Sequence, residues 1–307
     1  MNRRQLLFSM AAALSTRTWA DTPRRYALLY PDIPEPERGV FRLIREGIAA
    51  SIAKNHGTLL EHALSPASTT TTVADILTGS TADVLITLGR IATSLTQQLH
   101  PQLPWITGAT EIAVPTPGIG GISLVVSPDR VMDTLREVAP GIRRISVVLS
   151  PQRFGWLRPH MERAARSHSL QLAVYEADSI SQAASHYLNI LRYGNPQTDA
   201  LWILEQGQYV TPDTLPRLIE DAWANNFVVF SNVLAHVSEG SLFALYMNPA
   251  TLGSRLGTIA ADIRDRAPPL ILDQAPLRAI NLRTARHLAT VVDTGRLKGF
   301  DLTLGED

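Results

Sequence analysis

The sequence predicts an α/β protein of two Rossmann-like lobes, each built on a parallel sheet, with a ligand cleft between them. Three observations predict this class. Apolar runs of strand length alternate with segments whose apolar residues recur at three- and four-residue steps. Two such sets follow one another, with the Pro- and Gly-rich stretch 114–121 between them as the first expected crossing. Beyond the second set, residues 240–289 hold a further strand, a helix and two extended runs, so the chain passes back between the sets.

The first set opens with the apolar run 25–30 and a Pro-rich loop. Val40, Phe41, Ile44, Ile48 and Ile52 then mark one face of a helix. Leu59 and Leu60 belong to a second strand, residues 67–72 to a loop and 73–77 to a short helix. Residues 83–88 read as a third strand ending at Gly89, with a helix at 91–99, and 105–107 as a fourth ending at Gly108.

Ser127-Pro128 opens the second set. A small polar cap followed by Pro at the first helical position is a helix start, and Val131, Leu135 and Val138 supply its buried stripe. Strands are expected at 145–149, 170–175, 200–204 and 227–230, with helices around 158–167, 181–193 and 214–225. Asn248-Pro249 repeats the cap logic. Leu252, Leu256, Ile259 and Ile263 continue that helix until Pro268-Pro269 closes it. Strand-like runs at 242–246, 269–272 and 277–281 flank it, and a last helix is expected from Thr284.

In open parallel sheets, ligands sit beyond the carboxyl ends of the strands. That rule selects Tyr30, Gly89 with Arg90, Thr107, Gly108, Ala109 and Thr110, Ser150, Glu205 with Gln206, Ser231 with Asn232, and Tyr246 with Asn248. Each has a plain structural alternative. Gly89 and Gly108 serve as turn glycines, Asn248 as a helix cap, and Tyr30 and Tyr246 either pack at the rim or stack on a ligand. Phe154 and Trp156 read as exposed-loop aromatics that could stack in the cleft.

Composition excludes several classes. At 45% hydrophobic and 18% charged, 307 residues bury a sizeable core. Residues 1–20 have the form of a secretory signal: basic Arg3 and Arg4, the apolar run 6–14, and Ala20 at the last position. Asn2-Arg3-Arg4-Gln5-Leu6-Leu7 also partly matches a twin-arginine signal, so both export routes stay open. Without that segment 25 basic residues stand against 28 acidic, a formal charge of −3, which argues against nucleic acid or an anionic membrane as partner. The chain has no Cys, hence no disulfide, no thiolate metal site and no lipid-anchored cysteine.

Enzyme signatures are poor. Gly253-Ser254-Arg255-Leu256-Gly257 has the wrong order for a nucleophile elbow, and Gly118-Ile119-Gly120-Gly121 lacks the third glycine of a dinucleotide loop. The eight His are scattered without metal-ligand spacing, no cofactor is expected, and His236 near Glu239 reads as a surface pair.

Ile280-Asn281-Leu282-Arg283-Thr284-Ala285 resembles a segment near the C terminus of the tryptophan/tyrosine-type substrate-binding proteins of ABC transporters, within the type I periplasmic-binding superfamily. Gly121-Ile122-Ser123, Pro140-Gly141 and Phe230-Ser231-Asn232 fit the same family's order of elements, and the resemblance extends over essentially the whole chain after residue 20. It implies a monomeric periplasmic solute-binding protein that closes by a hinge on a small molecule and delivers it to an ABC permease. Sensing, with the closed form presented to a signalling receptor, is the alternative, and an exported α/β enzyme a third. It also implies three interlobe crossings, with residues 24–126 and 249–273 in one lobe and 127–248 and 274–307 in the other. Members with amino-acid-like ligands carry acidic residues at the positions of Gln206 and Asn248. Here both are amides, which argues against a charged α-amino ligand, although Glu205 stands beside Gln206.

Overall fold

The computed structural model describes residues 23–204 and 209–305. The expected signal segment and the candidates Glu205 and Gln206 lie outside the described residues.

Strand β1 (Arg25–Pro31) leads into α1 (Glu37–Lys54), β2 (Thr58–Leu64), α2 (Thr70–Ser80), β3 (Val84–Leu88), α3 (Gly89–Leu99), β4 (Trp105–Gly108) and β5 (Gly120–Val126). The Thr-rich stretch expected as loop starts α2 instead. Thr69 accepts from the Thr72 N–H and the Thr72 hydroxyl accepts from the Thr69 N–H, so two otherwise orphaned donors are satisfied at once.

The chain then enters a second sheet through α4 (Pro128–Val138), β6 (Arg144–Leu149), α5 (Pro151–Phe154), α6 (Arg158–Ser167), β7 (Gln171–Glu176) and α7 (Ile180–Tyr193). It continues through β8 (Asp199–Ile203), α8 (Leu215–Ala224), β9 (Val228–Ser231), α9 (Leu234–Ser238) and β10 (Phe243–Tyr246). Helix α10 (Pro249–Asp262) and strand β11 (Leu270–Asp273) return to the first sheet. Strand β12 (Leu277–Asn281), α11 (Leu282–His287) and β13 (Leu302–Leu304) complete the second.

The first sheet has the order β2-β1-β3-β4-β5-β11 and every pair in it is parallel. The second runs β7-β6-β8-β9-β10-β12-β13 and is parallel except where β12 lies antiparallel to β10. Sheet-buried strands such as Val84–Leu88 and Asp199–Ile203 have every position covered, because helices lie on both faces.

The stretch 114–121 is not a crossing. It joins β4 to β5 within one sheet, and its last glycines are strand residues. A Cβ on Gly121, at φ +116, would sit 2.1 Å from the Thr107 carbonyl oxygen, so glycine here serves strand approach rather than linker freedom. The chain changes sheet three times elsewhere: between β5 and α4, between β10 and α10, and between β11 and β12. Two of these passages are tied together, since the Ser127 N–H donates to the Asp273 carbonyl at 2.8 Å. Ser127 precedes α4 but, unlike the expectation, makes no side-chain cap to it. The buried Asp273 carboxylate accepts from Arg255 at 3.1 Å and from the Ala275 N–H at 3.0 Å.

Asn248 caps α10 as expected, its Oδ1 accepting from the Thr251 N–H at 3.1 Å. The helix stops at Asp262, well before Pro268, where Ile263 turns to extended geometry. Likewise α11 starts two residues before Thr284, because the Asn281 side chain takes the Thr284 N–H at 3.0 Å. Helix α10 packs on α1 through small residues. A Cβ on Gly253 would lie 2.1 Å from the Ile44 carbonyl oxygen, one on Gly257 2.6 Å from Ser51 Cβ, and Ser51 donates to the Ser254 carbonyl at 3.0 Å. The Gly253–Gly257 spacing is therefore a helix-packing seam.

Candidate functional site

The carboxyl ends of both sheets meet over a cavity of about 400 Å³. From the first sheet's side it is walled by Val40 of α1, Glu111, the end of β5 (Leu124, Val125, Val126) and Pro249 at the start of α10. Opposite lie Phe154, Leu157, Trp202 of β8 and Leu204. Residues following β9 (Asn232, Val233, Leu234) and at the end of β10 (Tyr246, Met247) close the remaining side.

The floor is aromatic. Trp202, 1% exposed, stacks on Phe230 at 6.0 Å between centroids, and Phe230 stacks on Phe243 at 4.9 Å. The indole N–H of Trp202 donates to Asn232 Oδ1 at 2.7 Å, and Asn232 Nδ2 donates to the Leu245 carbonyl at 3.4 Å. Burial, helped by the charge of Asp301, raises the Tyr246 phenol above its usual range, so the hydroxyl stays protonated and can donate. The lining Glu111 pairs with Arg153 of α5 at 2.8 Å, a contact that spans the two sheets' helices and loops. His160 Nε2 lies 2.6 Å from the Val114 carbonyl oxygen and makes a second such bridge.

Of the residues selected from the sequence, Asn232 and Tyr246 line this cavity, and Asn248 sits between its lining neighbours Met247 and Pro249 while its side chain caps α10. The others do other work or stand apart. Tyr30 is half-buried with the Arg45 guanidinium 3.9 Å over its ring. Gly89, at φ +77, opens α3 against the Phe41 ring, and Arg90 is exposed. Thr107 is buried, its hydroxyl 2.6 Å from that of Thr93, and Gly108 makes room for Leu256. Ala109 takes a left-handed turn at φ +54, and Thr110 is buried with its carbonyl bonded to the Leu124 N–H. Ser150 donates to Gln152 at 3.0 Å.

Ser231 and His236 form a pair that the sequence reading did not anticipate. His236 is 9% exposed rather than a surface partner of Glu239, and its Nδ1 lies 2.8 Å from the Ser231 hydroxyl. Ser231 Oγ also accepts from the Val233 N–H at 3.1 Å, so the pair locks the turn after β9. Burial lowers the imidazole to about 4. Neither residue lines the cavity, and Ser231 is fully buried, which is poor placement for a nucleophile.

Phe154 and Trp156 also differ from expectation. Phe154 is buried at 4% and forms cavity wall, while Trp156 packs half-buried, edge-on to His160. The lining residues that the strand-end rule missed, chiefly the end of β5, Trp202 and Leu204, are apolar except for Glu111. Apolar strand residues carry no local mark that separates cavity wall from core. Among the described residues, no group of three His, Asp or Glu could hold a metal ion, and no helix is long and apolar enough to cross a membrane.

No protein-family model matches the chain, and no curated protein matches it. Solved structures do. A ligand-free, open substrate-binding protein with adhesive properties from Clostridium difficile aligns over 92% of this chain and 99% of its own, at 13% identity and a TM-score of 0.67. An ABC domain in complex with L-Trp from Streptococcus pneumonia aligns over 92% and 100%, at 15% identity and 0.56. A periplasmic ribose ABC transporter protein from Conexibacter woesei aligns over 90% and 98%, at 10% identity and 0.55. At such identities the likeness is one of fold: α/β, two lobes with largely parallel sheets, of the type I periplasmic-binding class.

Proposed function

We propose that this protein is an exported solute-binding protein that captures a small molecule between its two lobes by hinge closure and presents it to an ABC importer. The single observation that carries the reading is the cavity itself. It is walled from both sheets at their carboxyl ends, and its about 400 Å³ falls within the roughly 300–1,000 Å³ usual for small-molecule sites. Binding there joins both walls, so ligand and closure stabilise each other.

In this reading the lobes comprise residues 24–126 with 249–273 and 127–248 with 274–307, and the sheet changes flanking Asp273 belong to the hinge. Residues 1–20 direct export to the periplasm, the protein acts as a monomer, and its macromolecular partner is a membrane permease. The resemblance carried by residues 280–285 supports placement with the tryptophan/tyrosine-type proteins. The Ser231–His236 pair is buried and neither residue lines the cavity, so in this reading it locks the turn after β9.

Ligand-dependent thermal unfolding tests the reading. A ligand at one hundred times its Kd stabilises the folded state by about 2.7 kcal/mol, a rise of several degrees for a protein of this size. A screen across aromatic compounds, amino acids, nucleosides, sugars and organic acids is expected to give such a rise for one chemical class. A folded, monodisperse protein that no class stabilises refutes the proposal.

A further inference from the structure

We propose that two copies of this chain pair reversibly through α7, packed antiparallel across a two-fold axis at Ala184. The pairing goes beyond the solute-binding reading, since each copy keeps its own cleft and remains a complete single-chain binding unit.

The starting point is where apolar surface is left uncovered. Among the described residues, the large apolar side chains that are more than half exposed are Ile180 (52%), Leu188 (56%) and Tyr193 (72%), and all three belong to α7. Apolar side chains scattered singly over a surface are ordinary, whereas three on one helix are a concentration. The helix already has a buried face: Ala183, Tyr187, Ile190 and Leu191 pack in the cluster that α7 and α8 form with the second sheet. Ile180, Ala184, Leu188 and Arg192 follow one another at four-residue steps and are all exposed, which places them along a separate ridge.

That ridge is self-complementary. When two copies of it lie antiparallel and cross at Ala184, the small side chain lets the helix axes approach to about 8 Å, and Ile180 of each copy meets Leu188 of the other. Arg192 of one copy then falls one turn, about 6 Å, beyond Ile180 of the other, over the start of α7. Asp178 stands there. Its exposed carboxylate accepts from Gln152 at 3.1 Å and makes no ion pair among the described residues. Arg192, whose guanidinium lies 5.6 Å over the Tyr193 ring, likewise has no carboxylate partner among them. Two-fold symmetry makes the Asp178–Arg192 contact twice, and it sets the partly positive start of each helix beside the partly negative end of the other. The contact is small. One pair of helices covers less than the roughly 1,200 Å² of a stable interface, so the expected dissociation constant is weak, about 10 µM to 1 mM.

Sedimentation velocity of the exported protein, without ligand and over concentrations spanning that range, tests the proposal. The average mass is expected to rise from one chain toward two with concentration, and less so at high salt. Leu188→Arg, at a solvent-facing position, is expected to weaken the pairing about tenfold or more while circular dichroism stays unchanged. Arg192→Glu and Asp178→Arg, each alone, set like charges against each other and are expected to weaken it as well. An equimolar mixture of these two variants is expected to restore it, because each copy then offers the charge that the other lacks. Local damage to α7 by either substitution is not repaired by mixing.

A protein that stays a single chain over the whole range would overturn the proposal and leave the ridge to a different partner. Self-association indifferent to Leu188→Arg would place the contact elsewhere and overturn the assignment to α7. A mixture that pairs no better than its components would overturn the antiparallel arrangement. None of these measurements involves a ligand, so the solute-binding reading stands or falls separately, on the thermal unfolding screen.

Discussion

Lowering the pH from 7 to 5 should destabilise this protein through one residue. His236 titrates at an ordinary value near 6.5 when the chain is unfolded, but burial against the Ser231 hydroxyl lowers it to about 4 in the fold. Between those values the unfolded chain binds the proton and the folded one does not. Stability is therefore fully present above pH 6.5 and is lost as the pH falls toward 4. Linkage over a shift of this size gives a loss of about 1 to 2 kcal/mol between pH 7 and pH 5. His168 acts with the opposite sign: hydrogen bonds to Asp133 and the Ala164 carbonyl outweigh its desolvation and raise it, so its contribution is present at low pH and lost as the pH rises. The assay is urea unfolding at both pH values on the wild type and on His236→Asn, whose short amide can still meet the Ser231 hydroxyl without titrating. The variant is expected to lose about 1 to 2 kcal/mol less than the wild type over this interval. Equal losses in the two proteins would refute the assignment.

The same substitution should have opposite signs at two helical glycines. Gly253→Ala drives a methyl into the Ile44 backbone at the α1–α10 seam and is expected to destabilise by about 1 to 3 kcal/mol. Gly79→Ala meets open space near the end of α2 and is expected to stabilise by about 0.5 to 1 kcal/mol; calorimetric melting of both variants decides the comparison. Asn248→Ala removes the cap of α10 and is expected to lower stability by about 0.5 to 2 kcal/mol, whereas Asn248→Asp keeps an acceptor and should stay near wild type in the same unfolding assay.

How much was legible beforehand can be judged from particular residues. Strands such as 84–88 and 145–149 were plain because helices cover both faces and the runs are continuously apolar. The start of α10 was plain because a cap and a proline act within four residues of chain. β5 was hidden by its two glycines, whose packing role depends on Thr107 and Pro268 across the sheet. For the site, Asn232 and Tyr246 followed from the strand-end rule, while Trp202 did not, because its direction depends on the partner that holds its N–H.

By itself, then, the sequence determined the alternation of strands and helices and the cap at Asn248, which rest on forces acting within a few turns of backbone, and the order of those elements pointed to the two-lobed class. Only the tertiary structure decided where the chain changes sheets, that His236 faces Ser231, that Gly253 and Gly257 are a seam, and that an apolar cavity lies between β5 and β8. The physical reason is separation along the chain. Ser51 and Ser254 touch although 203 residues apart, and no local propensity of either residue encodes which distant surface closes over it.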